Sequence, residues 1–209
     1  MKNYVALMAG LLLLAGCAGN DKTTVCQRVA PLPSGISIDS LSDCTVAASF
    51  KTSDFDWRGG RLCMTIYSDY RYDAADVARL HVGDTLVYEG DKPLPVDSIE
   101  RRDSFVIING GIETGGAELT ASGGGTYRAT TFDDHSVYRT LGKRTVPLAG
   151  DLVIIDCGDN PTDPNDTIRS GQKPYLDGLK DYKREFSPLN TRVRIEHGKV
   201  KEIHRHWIP

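Results

Sequence analysis

The stretch His81–Gly110, HVGDTLVYEGDKPLPVDSIERRDSFVIING, contains three short apolar runs separated by the polar turns EGDKP and RDS. Strands of five to eight residues joined by short polar turns form an antiparallel meander, which usually curls into a small barrel or sandwich. Pro93 and Pro95 bracket Leu94 in the second run, and proline removes a backbone donor from a sheet. The second strand is therefore expected to begin at a sheet edge.

Similar short runs of β-forming residues occur before and after this stretch. Residues 45–52, TVAASFKT, and 61–68, RLCMTIYS, alternate and are rich in β-forming residues, and residues 150–157, GDLVIIDC, read as a buried strand. Between these runs, Asp73 is expected to cap a short helix. Residues 191–207, TRVRIEHGKVKEIHRHW, predict a hairpin, with Gly198 at the turn and His197 beside it at positive φ.

One longer helix is predicted near the C-terminus, over Pro174–Phe186. Its apolar residues fall on one face, which favours docking onto a sheet over binding a partner: Tyr175, Leu176, Leu179, Tyr182 and Phe186. The predicted fold is mainly β with a minor α part. It is a small β-barrel or sandwich of short antiparallel strands with one docked C-terminal helix, forming a single domain over 44–209.

Residues 1–16 have the pattern of a signal peptide. Lys2 supplies a positive start, an apolar run of about 12 residues follows, and small residues close it, whereas a membrane-spanning helix needs roughly 20 residues. The ending LLAGC resembles the lipobox of bacterial lipoproteins. This resemblance, which covers only the signal, implies that Cys17 is acylated and becomes the first residue of the mature protein.

Residues 17–43 are polar, contain Pro31, Pro33 and Gly35, and are interpreted as a lipid-anchored tether. The expected location is therefore outside the cytoplasm, anchored by lipid in the cell membrane or outer membrane and facing the periplasm or the exterior. Ala18 follows Cys17, as in the outer-membrane pattern of bacteria with two membranes. The membrane is thus an expected partner, through the N-terminal lipid.

The four further cysteines are interpreted as disulfide candidates, because exported proteins favour disulfides. Three connectivities are possible, and the favoured one pairs Cys26 with Cys44 and Cys63 with Cys157. Buried free thiols are the alternative. The absence of a Cys-x-x-Cys motif disfavours a redox or zinc-ribbon role.

Composition excludes some partners. The formal net charge of −3 and the lack of a strongly basic stretch in the mature chain argue against nucleic acid. An envelope glycan or another envelope protein fits the expected location. No cofactor is expected.

The glycine-rich stretch 106–129, VIINGGIETGGAELTASGGGTYRA, follows an apolar run as a phosphate-binding loop would. Gly111 and Gly116 have the required separation, but Ala117 and Glu118 stand where the lysine and the hydroxyl should be. The glycines are therefore interpreted as the turns of a small sheet.

Two sets of residues could hold a metal, and neither is assigned as a site. His204 and His206 alternate, so they share one face of the last strand, with His197, His135 or Glu202 as a third ligand. A solvated strand is the favoured interpretation, because Lys199, Lys201 and Arg205 would oppose a cation. Asp156, Asp159, Asp163 and Asp166 do not satisfy the spacing of a helix-loop-helix calcium site.

No residue is assigned as catalytic, because the Gly-x-Ser-x-Gly motif of serine hydrolases is absent from the sequence. Tyr67, Tyr70 and Tyr72, with Trp57, suit sugars or protein partners, although a role in the core is favoured. The leading hypothesis is a non-catalytic binding or interaction module of the cell envelope. The alternative is an envelope hydrolase of glycan, peptidoglycan or peptide that uses carboxylates or a His-based metal site.

Overall fold

A computed structural model describes residues 26–157, 168–170 and 186–208, with the backbone alone at 168–170. Strands dominate, which confirms the predicted mainly β fold. The strands are β1 Arg28–Val29, β2 Cys44–Ser49, β3 Phe55–Asp56, β4 Arg61–Asp69, β5 Arg71–Asp73, β6 Thr85–Tyr88, β7 Lys92–Pro95, β8 Ile99–Arg102, β9 Phe105–Ile108, β10 Ala117–Ser122, β11 Thr126–Thr130, β12 Tyr138–Asp156, β13 Ile168–Ser170, β14 Thr191–Glu196 and β15 Lys199–Arg205. The described helices are α1 Ala74–Arg79 and two 3-10 helices, Thr52–Asp54 and Ile112–Thr114.

Five of these strands close into a barrel: β2, β4, β12, β14 and β15. The 19-residue strand β12 closes it, because its first part pairs antiparallel with β4 and its last part pairs parallel with β15. Strand β14 lies beside β2, which gives the first four barrel strands a Greek-key order. A five-stranded Greek-key barrel is the architecture of the OB-fold, and architecture alone does not imply function.

Alternation along the barrel strands separates an inner from an outer face. In β4, Leu62, Met64 and Ile66 are fully buried, while Thr65 and Tyr67 between and beside them are partly exposed. This period of two is what a strand with one face on a core requires. The barrel core consists of Val46, Ala48, Phe50, Phe55, Leu62, Met64, Ile66, Val146, Leu152, Ile154, Phe186, Val193, Ile195, Val200 and Ile203.

The chain between β4 and β12, together with β1, forms a second β-rich layer. Strands β5, β11, β10, β9 and β8 make an antiparallel sheet, and β1, β6 and β7 make a smaller one. Tyr70 and Tyr72 are fully buried in the hydrophobic cluster of this layer, which confirms the core role favoured for them. Asp73 caps α1, as expected, by accepting hydrogen bonds from the backbone N–H groups of Ala75 and Asp76.

The C-terminal part of the predicted tether, residues 17–43, belongs to the folded domain. Val29 in β1 is buried and pairs with Leu86 of β6, and the N–H of Leu32 donates to the carbonyl of Arg71 at 2.6 Å. Ile36 and Ile38 pack against the barrel core. The prolines suggested a linker, but the apolar residues on either side of them bury surface on the domain. Residues 17–25 lie outside the described residues.

The structure does not contain the two predicted disulfides. Cys44, Cys63 and Cys157 are free thiols. Cys63 lies opposite Thr145 in the middle of β12, whereas Cys157 follows the end of that strand, and a disulfide needs Cα atoms within about 7 Å. For these three cysteines the structure agrees with the alternative of free thiols.

The predicted helix over Pro174–Phe186 lies outside the described residues except for Phe186. That residue is buried in the barrel core, where its ring stacks on Phe50 with centroids 4.5 Å apart. Cys17 also lies outside the described residues. Among the helices that the structure describes, none is long and apolar enough to cross a membrane.

Candidate metal centre

Strand β15 and the residue after it present two histidines on the outside of the barrel. Ile203 and Arg205 of this strand are buried, so His204 between them and His206 after them point outward. The two imidazole rings lie with centroids 4.0 Å apart and planes inclined by 31°. The face shared by these histidines agrees with the sequence-based expectation.

Cys157 joins the histidines because β12 runs parallel to β15. Asp156 pairs in register with Arg205, and the N–H of Cys157 donates to the carbonyl of Arg205 at 2.9 Å. Asp156 is buried, so the alternation turns Cys157 outward. Its Sγ lies 3.1 Å from Nε2 of His204.

Cys157, His204 and His206 together bring one sulfur and two nitrogen ligand atoms within 4.8 Å of one another. Tetrahedral zinc with Zn–S near 2.3 Å and Zn–N near 2.0–2.1 Å requires ligand atoms roughly 3.3–3.6 Å apart. Sγ of Cys157 and Nε2 of His204 are 3.1 Å apart and no two donor atoms are more than 4.8 Å apart, so small side-chain rotations can bring all three to these distances. A thiolate with two imidazoles is a donor set that suits Zn²⁺ and Cu⁺.

A buried ion pair holds the two strands beneath this cluster. Arg205 donates to Oδ1 of Asp156 from Nε at 2.8 Å and from its terminal NH2 group at 2.7 Å. The Asp156 side chain is fully buried and that of Arg205 is 8% exposed. Because Asp156 precedes Cys157 and Arg205 separates the histidines, this pair fixes the backbone that carries all three donors.

Two of the three cations that the sequence set against a metal, Lys201 and Arg205, are paired with carboxylates, whereas Arg192 near His206 adds a positive charge. Arg205 points inward to Asp156, and Lys201 pairs with Asp151. Burial lowers the pKa of His206, and the neighbouring His204 and Arg192 lower it further. A neutral imidazole is the form that binds a metal.

The other residues considered as a third ligand lie elsewhere. His197 occupies the β14–β15 turn at φ 49°, which confirms the predicted hairpin, and its N–H donates to Asp43. His135 lies in the turn before β12, where its N–H donates to Thr131. Glu202 pairs with Arg194 at 3.3 Å. Sequence reasoning missed Cys157 because it counted the residue as a disulfide candidate.

The glycine-rich stretch forms turns, as predicted. Gly110, Gly111 and Gly115 have positive φ around the 3-10 helix Ile112–Thr114, and Gly124 and Gly125 form the β10–β11 turn. Of the aspartate run, the structure describes only Asp156. Asp156 is buried in its ion pair, and Asp159, Asp163 and Asp166 lie outside the described residues.

Of the four aromatic candidates, Tyr67 lies on the outer face of the barrel, where its hydroxyl lies 2.9 Å from that of Ser49. Trp57 stacks on Phe55 with centroids 4.7 Å apart and packs against the barrel core. Tyr72 donates its hydroxyl to the carbonyl of Val87 at 2.8 Å, and burial raises its pKa. The three tyrosines therefore do not form one surface.

No protein-family model, curated protein or solved structure matches this chain. The function is therefore argued from the arrangement of its own residues.

Proposed function

We propose that the protein is an exported, lipid-anchored binding protein of the cell envelope that holds a transition-metal ion through Cys157, His204 and His206. The observation that carries the metal proposal is the convergence of one sulfur and two imidazole nitrogens within 4.8 Å. The signal-like segment 1–16 and the lipobox-like ending at Cys17 support the anchor and the location.

The position of the cluster in the fold favours binding of a metal over chance proximity. The donors lie at the ends of two neighbouring strands that a buried ion pair joins, so their backbones are already in place before an ion arrives. Cys157 and His204 are half-buried, which limits competition from water while the outward face stays accessible. Zn²⁺ and Cu⁺ are the ions that this donor set favours.

The metal proposal is tested by titrating the full chain in detergent, with its thiols reduced, against Zn²⁺ in competition with a chelator. Cys157→Ser, His204→Ala and His206→Ala are each expected to weaken zinc binding by tenfold or more, because each removes one of three donors. The wild-type melting temperature is expected to rise with zinc, since an ion at about 100 times its Kd adds roughly 2.7 kcal/mol of stability.

Cys63→Ser and His197→Ala are the matched controls, because both remove the same donor types at positions away from the cluster. These two variants are expected to bind zinc like the wild-type protein. Equal weakening in the controls and the cluster variants, or no zinc binding by the wild-type protein, would overturn the proposal.

A second function, metal-dependent hydrolysis of an envelope glycan or peptide, is favoured by the number of donors. Within the part of the chain that the structure describes, the cluster has three protein donors, and catalytic zinc sites combine three with a water molecule. Release of reducing ends or peptides from peptidoglycan by the zinc-loaded chain, absent in Cys157→Ser, would favour this hydrolase over the binding protein.

A further inference from the structure

A polar groove lies on the outer face of the barrel beside the metal centre. It encloses about 360 Å³ and is bounded by β2, β4, the start of β12, β14 and the segment before β2. The register explains its position, because Arg192 of β14 lies opposite Ala47 of β2 and Ala47 lies opposite Tyr67 of β4. Small-ligand sites typically occupy 300–1,000 Å³, so the groove has room for one or two small rings.

Hydroxyl groups dominate the lining of this groove. Its six hydroxyl-bearing residues come from four separate parts of the chain: Ser34, Thr45, Tyr67, Ser68, Ser136 and Tyr138. Tyr67 and Tyr138 also offer aromatic surface, which suits the apolar face of a ring that carries polar substituents. Closely spaced hydroxyls with two tyrosines are a lining suited to a saccharide.

Arg192 gives the groove a fixed positive charge. Its guanidinium donates to the hydroxyl of Tyr138 at 2.6 Å and to the carbonyls of Pro188 and Thr191 at 2.7 and 3.1 Å, all of which are neutral partners. It also lies 5.6 Å from the centroid of the Tyr138 ring. Arg71, the other cation of the groove, is already paired with Asp69 at 2.8 Å.

These bonds orient the guanidinium without neutralising it. Within the described residues, no carboxylate forms an ion pair with Arg192. A planar guanidinium held in place is well suited to bind a carboxylate through two parallel hydrogen bonds. An anionic ligand is therefore favoured, although the protein as a whole has a formal net charge of −3.

We infer that this groove binds an acidic saccharide, with the sugar carboxylate at Arg192 and the sugar ring among the hydroxyls and tyrosines. Arg192 lies opposite His204 in the β14–β15 pair, so the groove and the metal centre share one outer face. The inference does not require the metal, because none of the groove residues is a proposed metal ligand.

The test measures binding of glucuronic acid, its disaccharides and uncharged glucose to the full chain in detergent with chelator present. Acidic sugars are expected to bind at least tenfold more tightly than glucose. Arg192→Gln is expected to weaken their binding at least tenfold and to leave glucose binding unchanged. Arg194→Gln is the matched control, because Arg194 lies two residues along the same strand, outside the groove, and pairs with glutamates.

Equal binding of glucuronic acid and glucose by the wild-type chain, or no binding of either, would overturn the inference, and neither result depends on a variant that folds. Inorganic phosphate is tested in parallel. Displacement of glucuronic acid by phosphate at equal concentration would identify a general anion site and also overturn the saccharide assignment. Because chelator is present throughout, failure here is distinguishable from failure of the metal proposal.

Discussion

Replacing Asp156 by alanine is expected to lower the free energy of unfolding by about 3–5 kcal/mol, the usual cost of removing one partner of a buried ion pair. The carboxylate is fully buried and accepts two hydrogen bonds from Arg205. Its removal breaks an ion pair in which the guanidinium is only 8% exposed, inside the end of the barrel. Urea unfolding followed by circular dichroism measures this loss.

Asp151→Ala is the matched control for this experiment. Asp151 belongs to the same strand and also pairs with a cation of β15, Lys201, but its side chain is 72% exposed. Exposed ion pairs contribute little to stability, so this variant is expected to unfold close to the wild-type midpoint. If the two variants unfold at the same urea concentration, the buried pair does not hold β12 to β15.

Loss of Asp156 is also expected to weaken zinc binding, because the ion pair fixes the backbone on which Cys157 and His204 are carried. Asp151→Ala should leave zinc binding unchanged. A variant that is destabilised but still binds zinc normally would show that the donors are held by other contacts. The two measurements therefore separate the structural role of the pair from its role beneath the candidate centre.

The strands could be predicted because their signals are local. Residues 61–68 alternate in the sequence as Leu62, Met64 and Ile66 alternate in the core, and His197 with Gly198 predicts the last hairpin from two adjacent residues. In each case the pattern depends on neighbours in the chain. A period of two and a turn residue are sufficient to specify such elements.

The closure of the barrel could not be predicted in the same way. It depends on β12 leaving β4 and continuing beside β15, with a shift in register near Gly142 and a parallel pairing across a long connection. Parallel partners are set by tertiary packing and leave no short-range signal. The segment before β2 was assigned to the tether for the related reason that its contacts with the barrel are distant in sequence.

The residues of the candidate site also differ in whether the sequence could predict their positions. His204 and His206 lie two residues apart at the end of β15, so their shared face could be predicted from spacing alone. Cys157 and Arg192 reach the same surface through strand pairing, from residues 47 and 12 positions before His204. One of the three donors of the metal centre and the charge of the groove therefore become visible only when the barrel is closed.

Replacing Gly116 by alanine is expected to destabilise the protein by about 3 kcal/mol, at the upper end of the usual cost of overpacking. A Cβ atom at this position would lie 2.0 Å from the backbone carbonyl oxygen of Ile108 and 3.0 Å from Cβ of Asn109. The neighbour is backbone within a sheet, so it cannot rotate away. Urea unfolding and thermal melting measure the effect.

The clash at Gly116 is also expected to disturb the hydrogen bonds of Asn109. Its side chain accepts from the N–H groups of Asp97 and Ser98 and donates to the carbonyl of Pro95. Gly123→Ala is the matched control, since no atom lies within 4 Å of its added Cβ and its φ is not in the left-handed region. This variant is expected to match or slightly exceed wild-type stability. Equal stability of the two variants would show that the glycines act only as flexible turns. A loss at Gly116 alone would show that close packing of the chain against β9 requires glycine there.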